Sequence, residues 1–196
     1  QMPQFDLRYI QAAKYTNTSG TVTYAEKTKV GDAMSANLEL KFAEGRLYAE
    51  GRLSEYMRLA TGGTISLGVK EIPDAAKKLL YGAQESTRSV PQASNAKGVV
   101  YSAKDAASYV GVSLYCPDVV DGATKYTCVF VAKALFGPPS MSYKTKGQNL
   151  EFATPTTTGE FLASDAVAET IMETVTVDTI DAAKAWCDAV LTTAGG

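Results

Sequence analysis

Alternation of apolar and polar residues recurs along the chain and predicts mainly β-strands. In residues 35–42, Leu38, Leu40 and Phe42 fall on one side of an extended chain, and polar residues fall on the other. This pattern is typical of a strand with one face on a core and one face in polar surroundings. Residues 126–136 are apolar on both sides, which predicts a central strand. Similar strand patterns occupy residues 5–10, 21–29, 64–70, 109–116, 149–153, 159–163 and 169–177.

From residue 60 to residue 83, a strand pattern runs directly into a helix pattern. The strand covers residues 64–70, and Pro73 is expected in the first helical turn, where its missing N–H costs nothing. Gly82 is placed to end the helix in a left-handed conformation. Gly62 and Gly63, just before the strand, are expected to form a turn. The apolar face of this helix is predicted to consist of Ile72, Ala75, Ala76, Leu79 and Leu80.

A second helix is predicted from Thr179 to about Thr192. Asp178 and Asp181 give it an acidic, cap-like start. Its apolar face is predicted to contain Ile180, Ala183, Cys187, Val190 and Leu191, with Trp186 beside them.

The order of elements predicts an α+β, mainly β fold: an antiparallel β sandwich or barrel with two packed helices. One domain over residues 1–196 is expected. Its halves, residues 1–84 and 98–196, are joined by a polar connector at residues 85–97. Asp121-Gly122 fits a hairpin or a longer loop between two of the later strands.

The amino-acid composition excludes several classes of protein function. The 196 residues include no histidine, which excludes hydrolases that depend on a histidine base or ligand. The net charge of −2 argues against a dedicated nucleic-acid-binding protein. No apolar run approaches the roughly 20 residues that span a bilayer, and no signal peptide is recognisable. Carboxylate-only and lysine-based chemistries remain compatible with this composition, but no acid pair is recognisable among the 21 acidic residues. We therefore expect no enzymatic activity, and we also expect no cofactor, no metal site and no membrane insertion.

The three cysteines, Cys116, Cys128 and Cys187, match no zinc or redox spacing. Cys116 and Cys128 lie in neighbouring predicted strands, where they can face each other. The odd number favours reduced, buried thiols over a disulfide.

Mixed charges concentrate in residues 43–63, which contain the short echoes EGRLYA and EGRLSE. We interpret this segment as hairpin-like strand pieces. Its arginines are interleaved with glutamates, which weakens any phosphate-binding field and favours contacts between proteins. The candidate contact residues are Glu44, Arg46, Tyr48, Glu50, Arg52, Glu55 and Arg58.

Several segments in order resemble the major tail proteins, or tail tube proteins, of long-tailed bacteriophages. They are SANLELKF, RLYAEGRLSEY, GGTISLGVKEIP, DAAKKLLYG, then TPTTTGEF at residues 154–161 and the closing helix DAAKAWCDAVL. The resemblance covers most of the chain through order and short motifs.

This resemblance implies a structural virion protein that forms stacked, hexameric rings around a hollow conduit for DNA ejection. The inner wall would be a β-barrel built by several subunits, and the charged hairpin would contact the adjacent ring. The implied partners are other copies of the chain, the tape measure, tail terminator and distal tail proteins, and phage DNA that passes without sequence-specific binding. The implied location is the virion tail, assembled in the host bacterial cytoplasm.

Two alternatives remain open at this point. The chain is also compatible with the inner tube subunit of a contractile tail or secretion system, which would share the architecture. A receptor- or carbohydrate-binding β module of a phage particle would use the eleven tyrosines.

Overall fold

A computed structural model of the chain describes residues 8–141 and 154–192. The predicted strand at residues 149–153 and the first residues of the strand at 5–10 lie outside this range. The described elements are β1 Arg8–Thr18, β2 Thr21–Lys29, β3 Ala33–Ala49, β4 Arg52–Val69, α1 Asp74–Tyr81, β5 Gln84–Glu85, β6 Val99–Val100, β7 Val110–Val120, β8 Ala123–Phe136, β9 Thr156–Leu162, β10 Met172–Val177 and α2 Ile180–Val190.

Eight of these strands form one antiparallel sheet, in which seven follow the order β2-β1-β7-β8-β9-β4-β3 and β10 lies off this path. The strand β10 pairs with the first half of β8, and β9 pairs with its second half. The prediction of a mainly β, α+β fold with an antiparallel sheet is thus confirmed, and β8 is central as its apolar pattern predicted. Strands that follow the polar connector lie between β1 and β4, which precede it, so one sheet mixes both parts of the chain.

The three hairpins of the sheet share one turn geometry. Both residues of Ser19-Gly20, Glu50-Gly51 and Asp121-Gly122 have positive φ angles, between 51° and 87°. Two-residue turns of this kind match the right-handed twist of the flanking strands. Of the hairpin and the longer loop that the sequence allowed at Asp121-Gly122, the structure has the hairpin.

The main core lies between the inner face of the sheet and helix α1. Ile65, Leu67 and Val69 of β4 are fully buried there together with Ile10 of β1. These strands are four places apart in the sheet order, so the sheet must curl to bring them into one core. Leu38 and Leu40 of β3 pack against this core, as their alternation predicted.

Helix α1 covers this core with Ala76, Leu79 and Leu80, whereas Ala75 is exposed. Ile72, which was expected on the helix face, lies before the helix and is also buried in this core. The Gly82 prediction is confirmed, since this residue has a φ of 70° and its N–H binds the carbonyl of Lys78. The prediction for Pro73 is wrong by one position. Pro73 is the N-cap in an extended conformation, so the helix begins at Asp74.

Helix α2 covers the opposite face of β7 and β8 with Ala183, Cys187 and Leu191. The hydroxyl of Thr179 accepts a hydrogen bond from the N–H of Ala182 and caps the helix. Asp178, which was expected to contribute to the acidic start of this helix, forms an ion pair with Lys125 of β8 at 3.3 Å.

The cysteines are buried free thiols, as expected. The idea that Cys116 and Cys128 face each other is wrong. Cys128 lies opposite Tyr115, and Cys116 lies opposite Thr127, so the two thiols point to opposite faces of the sheet.

Burial raises the pKa of Cys116 to about 11 and that of Cys187 to about 12, which makes both poor nucleophiles at neutral pH.

Gly62 and Gly63 do not form a turn, contrary to the expectation, but lie inside strand β4. A side chain on Gly62, whose φ is 149°, would overlap the carbonyl oxygen of Phe161 in β9. A side chain on Gly63 would overlap both the ring of Phe161 and the carbonyl oxygen of Glu39. The two glycines therefore allow close approach of neighbouring strands at the point where β9 joins the sheet.

A polar clamp holds the segment after β9 against the sheet. Asp165 accepts hydrogen bonds from the hydroxyl of Tyr15 at 2.7 Å and from the ammonium group of Lys133 at 2.8 Å. The backbone N–H of Asp165 in turn donates to Tyr15. Lys133 is mostly buried and lies 4.6 Å from the ring centre of Tyr109. Lys133 and Tyr15 together hold the pKa of Asp165 below its usual value.

We expect this clamp to lose its stabilising effect in acid. An aspartate with a lowered folded-state pKa stabilises fully above its unfolded pKa of about 3.9, and the contribution disappears as pH falls through the folded-state value. Asp165→Asn should therefore flatten the acid limb of a stability profile measured by urea unfolding between pH 2 and pH 7. Glu173→Gln, which removes an exposed acid without an ion pair to described residues, should keep the wild-type limb. If stability falls with acid to the same extent in Asp165→Asn and in wild type, this role of Asp165 is wrong.

Among the described residues, neither helix has the length and apolar character needed to cross a membrane.

Candidate assembly surface

The hairpin of β3 and β4 extends well beyond the rest of the sheet. Strand β9 pairs with β4 only from Gly62 to Gly68, so residues 42–60 form a two-stranded ribbon without further neighbouring strands among the described residues. We call this ribbon the arm. Its eight residues on β3 span about 27 Å at roughly 3.4 Å per residue. Every side chain described in the arm is exposed.

One face of the arm carries a network of charges and aromatic rings, which we call the ionic face. Glu44 lies 3.5 Å from Arg46 and 3.7 Å from Arg58. The guanidinium of Arg58 lies 4.2 Å from the ring centre of Phe42, and that of Arg46 lies 5.7 Å from that of Tyr56. A hydrogen bond with Glu44 raises the pKa of Tyr56. These charges largely satisfy one another within the arm.

The opposite face of the arm, which we call the apolar face, has no such partners. Strand pairing places Ala43 opposite Leu59 and Gly45 opposite Met57, with Leu47 next along β3. Leu47, Met57 and Leu59 are 57%, 62% and 60% exposed. A set of exposed large apolar side chains on one side of a ribbon is typical of a contact surface.

The structure divides the seven predicted contact residues between different parts of the arm. Glu44, Arg46, Tyr48 and Arg58 alternate onto the ionic face, while Glu50 is in the turn. Arg52 and Glu55 lie on the opposite side with the apolar residues. The contact role of all seven stays a prediction.

Sequence reasoning missed the apolar face, although a signal for it exists. Leu47 alternates with Arg46 and Tyr48, and Met57 and Leu59 alternate with Tyr56 and Arg58. The prediction of contact residues rested mainly on charge and therefore omitted Leu47, Met57 and Leu59.

A second surface lies on the outer side of β9, β4 and β3, which we call the polar sheet face. Helix α2 covers the outer side of β7 and β8 but not these strands. The hydroxyls of Ser66 and Thr158 lie 3.2 Å apart, and Lys41 pairs with Glu160 at 3.0 Å. This polar sheet face carries Ser35, Asn37, Glu39, Lys41, Thr64, Ser66, Thr156, Thr158 and Glu160.

The two ends of the sheet differ in how they present their edges. The outer edge of β3 has no neighbouring strand among the described residues along its 17 residues, and β3 contains no proline. Strand β2, at the other end, is interrupted by Glu26, which has a φ of 55°. Lys27 and Lys29 of β2 are held in ion pairs. Irregular, charged edges resist strand addition, so β3 is the more open edge.

Most tyrosines on the sheet pack against one another. Tyr15 contacts Tyr24 and Tyr109, and Tyr115 contacts Tyr9 and Tyr126, with ring centres between 5.8 and 6.4 Å apart. These rings stabilise the sheet and do not form an open row on the surface.

Comparison with known proteins adds no relative. No protein-family model matches the chain, and no curated protein matches it significantly. The arm, the polar sheet face and the open edge of β3 are therefore the features from which a function is inferred.

Proposed function

We propose that this chain is the major tail tube subunit of a long-tailed bacteriophage or related particle. The observation that carries this proposal is the arm, an extended ribbon exposed on both faces. An isolated two-stranded ribbon is at best marginally stable in water, so an arm of this length favours a role in contact with another molecule. A subunit that repeats along a tube offers such a contact at every copy.

The open edge of β3 supports ring closure by strand pairing between neighbouring copies. Natural proteins usually protect long edge strands, as this chain does at β2. Pairing of β3 with the next copy would bury its unpaired backbone groups and continue the sheet around a ring. Closed, multi-subunit β-barrel rings, hexameric as in the resembled family, are part of this proposal. The arms would then contact the adjacent ring.

The polar sheet face supports a role as the wall of the conduit. Its hydroxyl and amide side chains are uncharged, Lys41 is neutralised by Glu160, and Glu39 makes no ion pair to described residues. A surface without free basic residues does not bind phosphates through counterion release, so DNA can pass along it. The tape measure, tail terminator and distal tail proteins are the further partners of such a tube in the virion tail.

Negative-stain electron microscopy of the purified protein tests the proposal directly. We expect rings or tubes of uniform diameter as the concentration is raised, because the arm and the β3 edge both gain partners on assembly. A protein that stays monomeric at its highest attainable concentration would contradict it.

Chemical labelling of the assembled tubes tests which surface faces the conduit. Thr158→Cys places a reactive thiol on the polar sheet face, and Lys184→Cys places one on the exposed side of α2. A maleimide polymer too large for the conduit should label both free subunits but only the Lys184→Cys tube. Labelling of the Thr158→Cys tube at the same rate would place the polar sheet face outside.

A further inference from the structure

The apolar face of the arm pairs a large side chain with a small one across the two strands. Leu59 of β4 lies opposite Ala43 of β3, and Met57 lies opposite Gly45. The large residues of these pairs are on β4, and the small residues are on β3. This part of the face is therefore a ridge beside a groove, whereas nearer the tip Leu47 of β3 lies opposite Glu55 of β4.

Such a face is complementary to its own copy. A two-fold axis parallel to the strands places β4 of one arm over β3 of the other, with both arms pointing the same way. Met57 then faces Gly45 of the second copy, and Leu59 faces its Ala43. We propose that two free copies of this chain associate reversibly through the apolar faces of their arms before assembly. This pairing does not rest on the proposed function.

The charges of the arm favour a second copy over a charged partner. Residues 42–60 contain three glutamates and three arginines, so two arms do not repel each other. The ionic face, on which Glu44 pairs with both Arg46 and Arg58, stays in water when the apolar faces meet. Arg52 and Glu55 lie on the apolar side near the tip of the arm, at the end of the contact.

The size of the contact limits its strength. Two strands about 4.8 Å apart and about 27 Å long cover roughly 250 Å² on each copy. The total of roughly 500 Å² is well below the 1,200 Å² of a stable interface. The dimer should therefore dissociate readily and leave the arm free for other contacts.

Sedimentation equilibrium, at concentrations below the onset of any tubes, measures this pairing. We expect a monomer–dimer equilibrium with a dissociation constant above about 10 μM, in line with the small contact area. Wild-type protein that is monomeric up to 1 mM would overturn the proposal.

A swap of large and small residues tests the register. Gly45→Met places two methionines face to face, and Met57→Ala leaves two small residues face to face, so each change should weaken dimerisation at least tenfold. The double variant again opposes a large residue to a small one and should return within a few-fold of wild type. A Cβ at Gly45 has open space in the monomer, so folding is not the limit. If the double variant dimerises as weakly as the single variants, the proposal is overturned.

The result is independent of tube formation. Dimers without tubes would count against the proposed function alone. Tubes without dimers would count against the arm pairing alone.

Discussion

Reversing the charge of both Arg46 and Arg58 is expected to abolish tube formation while the subunit stays folded. The two glutamates would join Glu44 on the ionic face, where three carboxylates would then lie within a few ångströms of one another. Like charges directly opposite on neighbouring strands are destabilising, so the arm would lose the geometry that an adjacent subunit recognises. Electron microscopy should show no tubes, and far-UV circular dichroism should stay close to that of wild type.

The control for this variant carries the same charge change elsewhere. Lys104→Glu with Lys184→Glu alters two exposed lysines outside the arm. It should form tubes, because the arm is intact and the net charge alone does not decide assembly. Tubes of normal length from the Arg46→Glu, Arg58→Glu variant would rule out a role for the ionic face in stacking.

Adding one methyl group at Gly63 is expected to destabilise the whole domain. In Gly63→Ala the new Cβ would overlap the buried ring of Phe161 and the carbonyl oxygen of Glu39, so β3, β4 or β9 must shift. Overpacking of this kind, against backbone on one side, should lower the free energy of unfolding by about 3 kcal/mol. For a domain of this length we expect a fall in melting temperature of roughly 6–12 °C.

The matched control is the same substitution in the arm. A Cβ at Gly45 meets no atom within 4 Å, so Gly45→Ala should leave the melting temperature within about 2 °C of wild type. A Gly63→Ala protein as stable as Gly45→Ala would show that β9 approaches β4 less closely than the structure indicates.

The pattern of residues predicted local elements well wherever one face meets a core. The alternation of Leu38 and Leu40 placed a strand correctly, and Gly82 marked the end of α1, because both signals act within a few residues. Element ends were less well predicted. The alternation in β3 continues to Ala49, through a charged segment that we read as hairpin-like pieces.

The errors share a physical cause. Gly62 and Gly63 were expected in a turn because glycine pairs often punctuate the chain. Their structural reason is Phe161, about a hundred residues away, which no local pattern reveals. The same holds for Cys116 and Cys128, since a shift of one residue in strand register moves a side chain to the other face.

The candidate surfaces show the same division between local and distant effects. The sequence contained the charges of the ionic face, and its alternation also contained the apolar face. It did not show that both faces stay exposed, because that depends on β9 ending its pairing at Gly62.

The sequence by itself determined a mainly β chain with two helices, a chain reversal at Asp121-Gly122 and the absence of histidine chemistry. These properties depend on residue type and on neighbours within one or two turns of the chain. Only the tertiary structure decided that β9 lies between β8 and β4, that α2 covers just part of the outer sheet, and that the arm stands free. Contacts between residues far apart in sequence follow from how the whole core packs, so local periodicity cannot specify them.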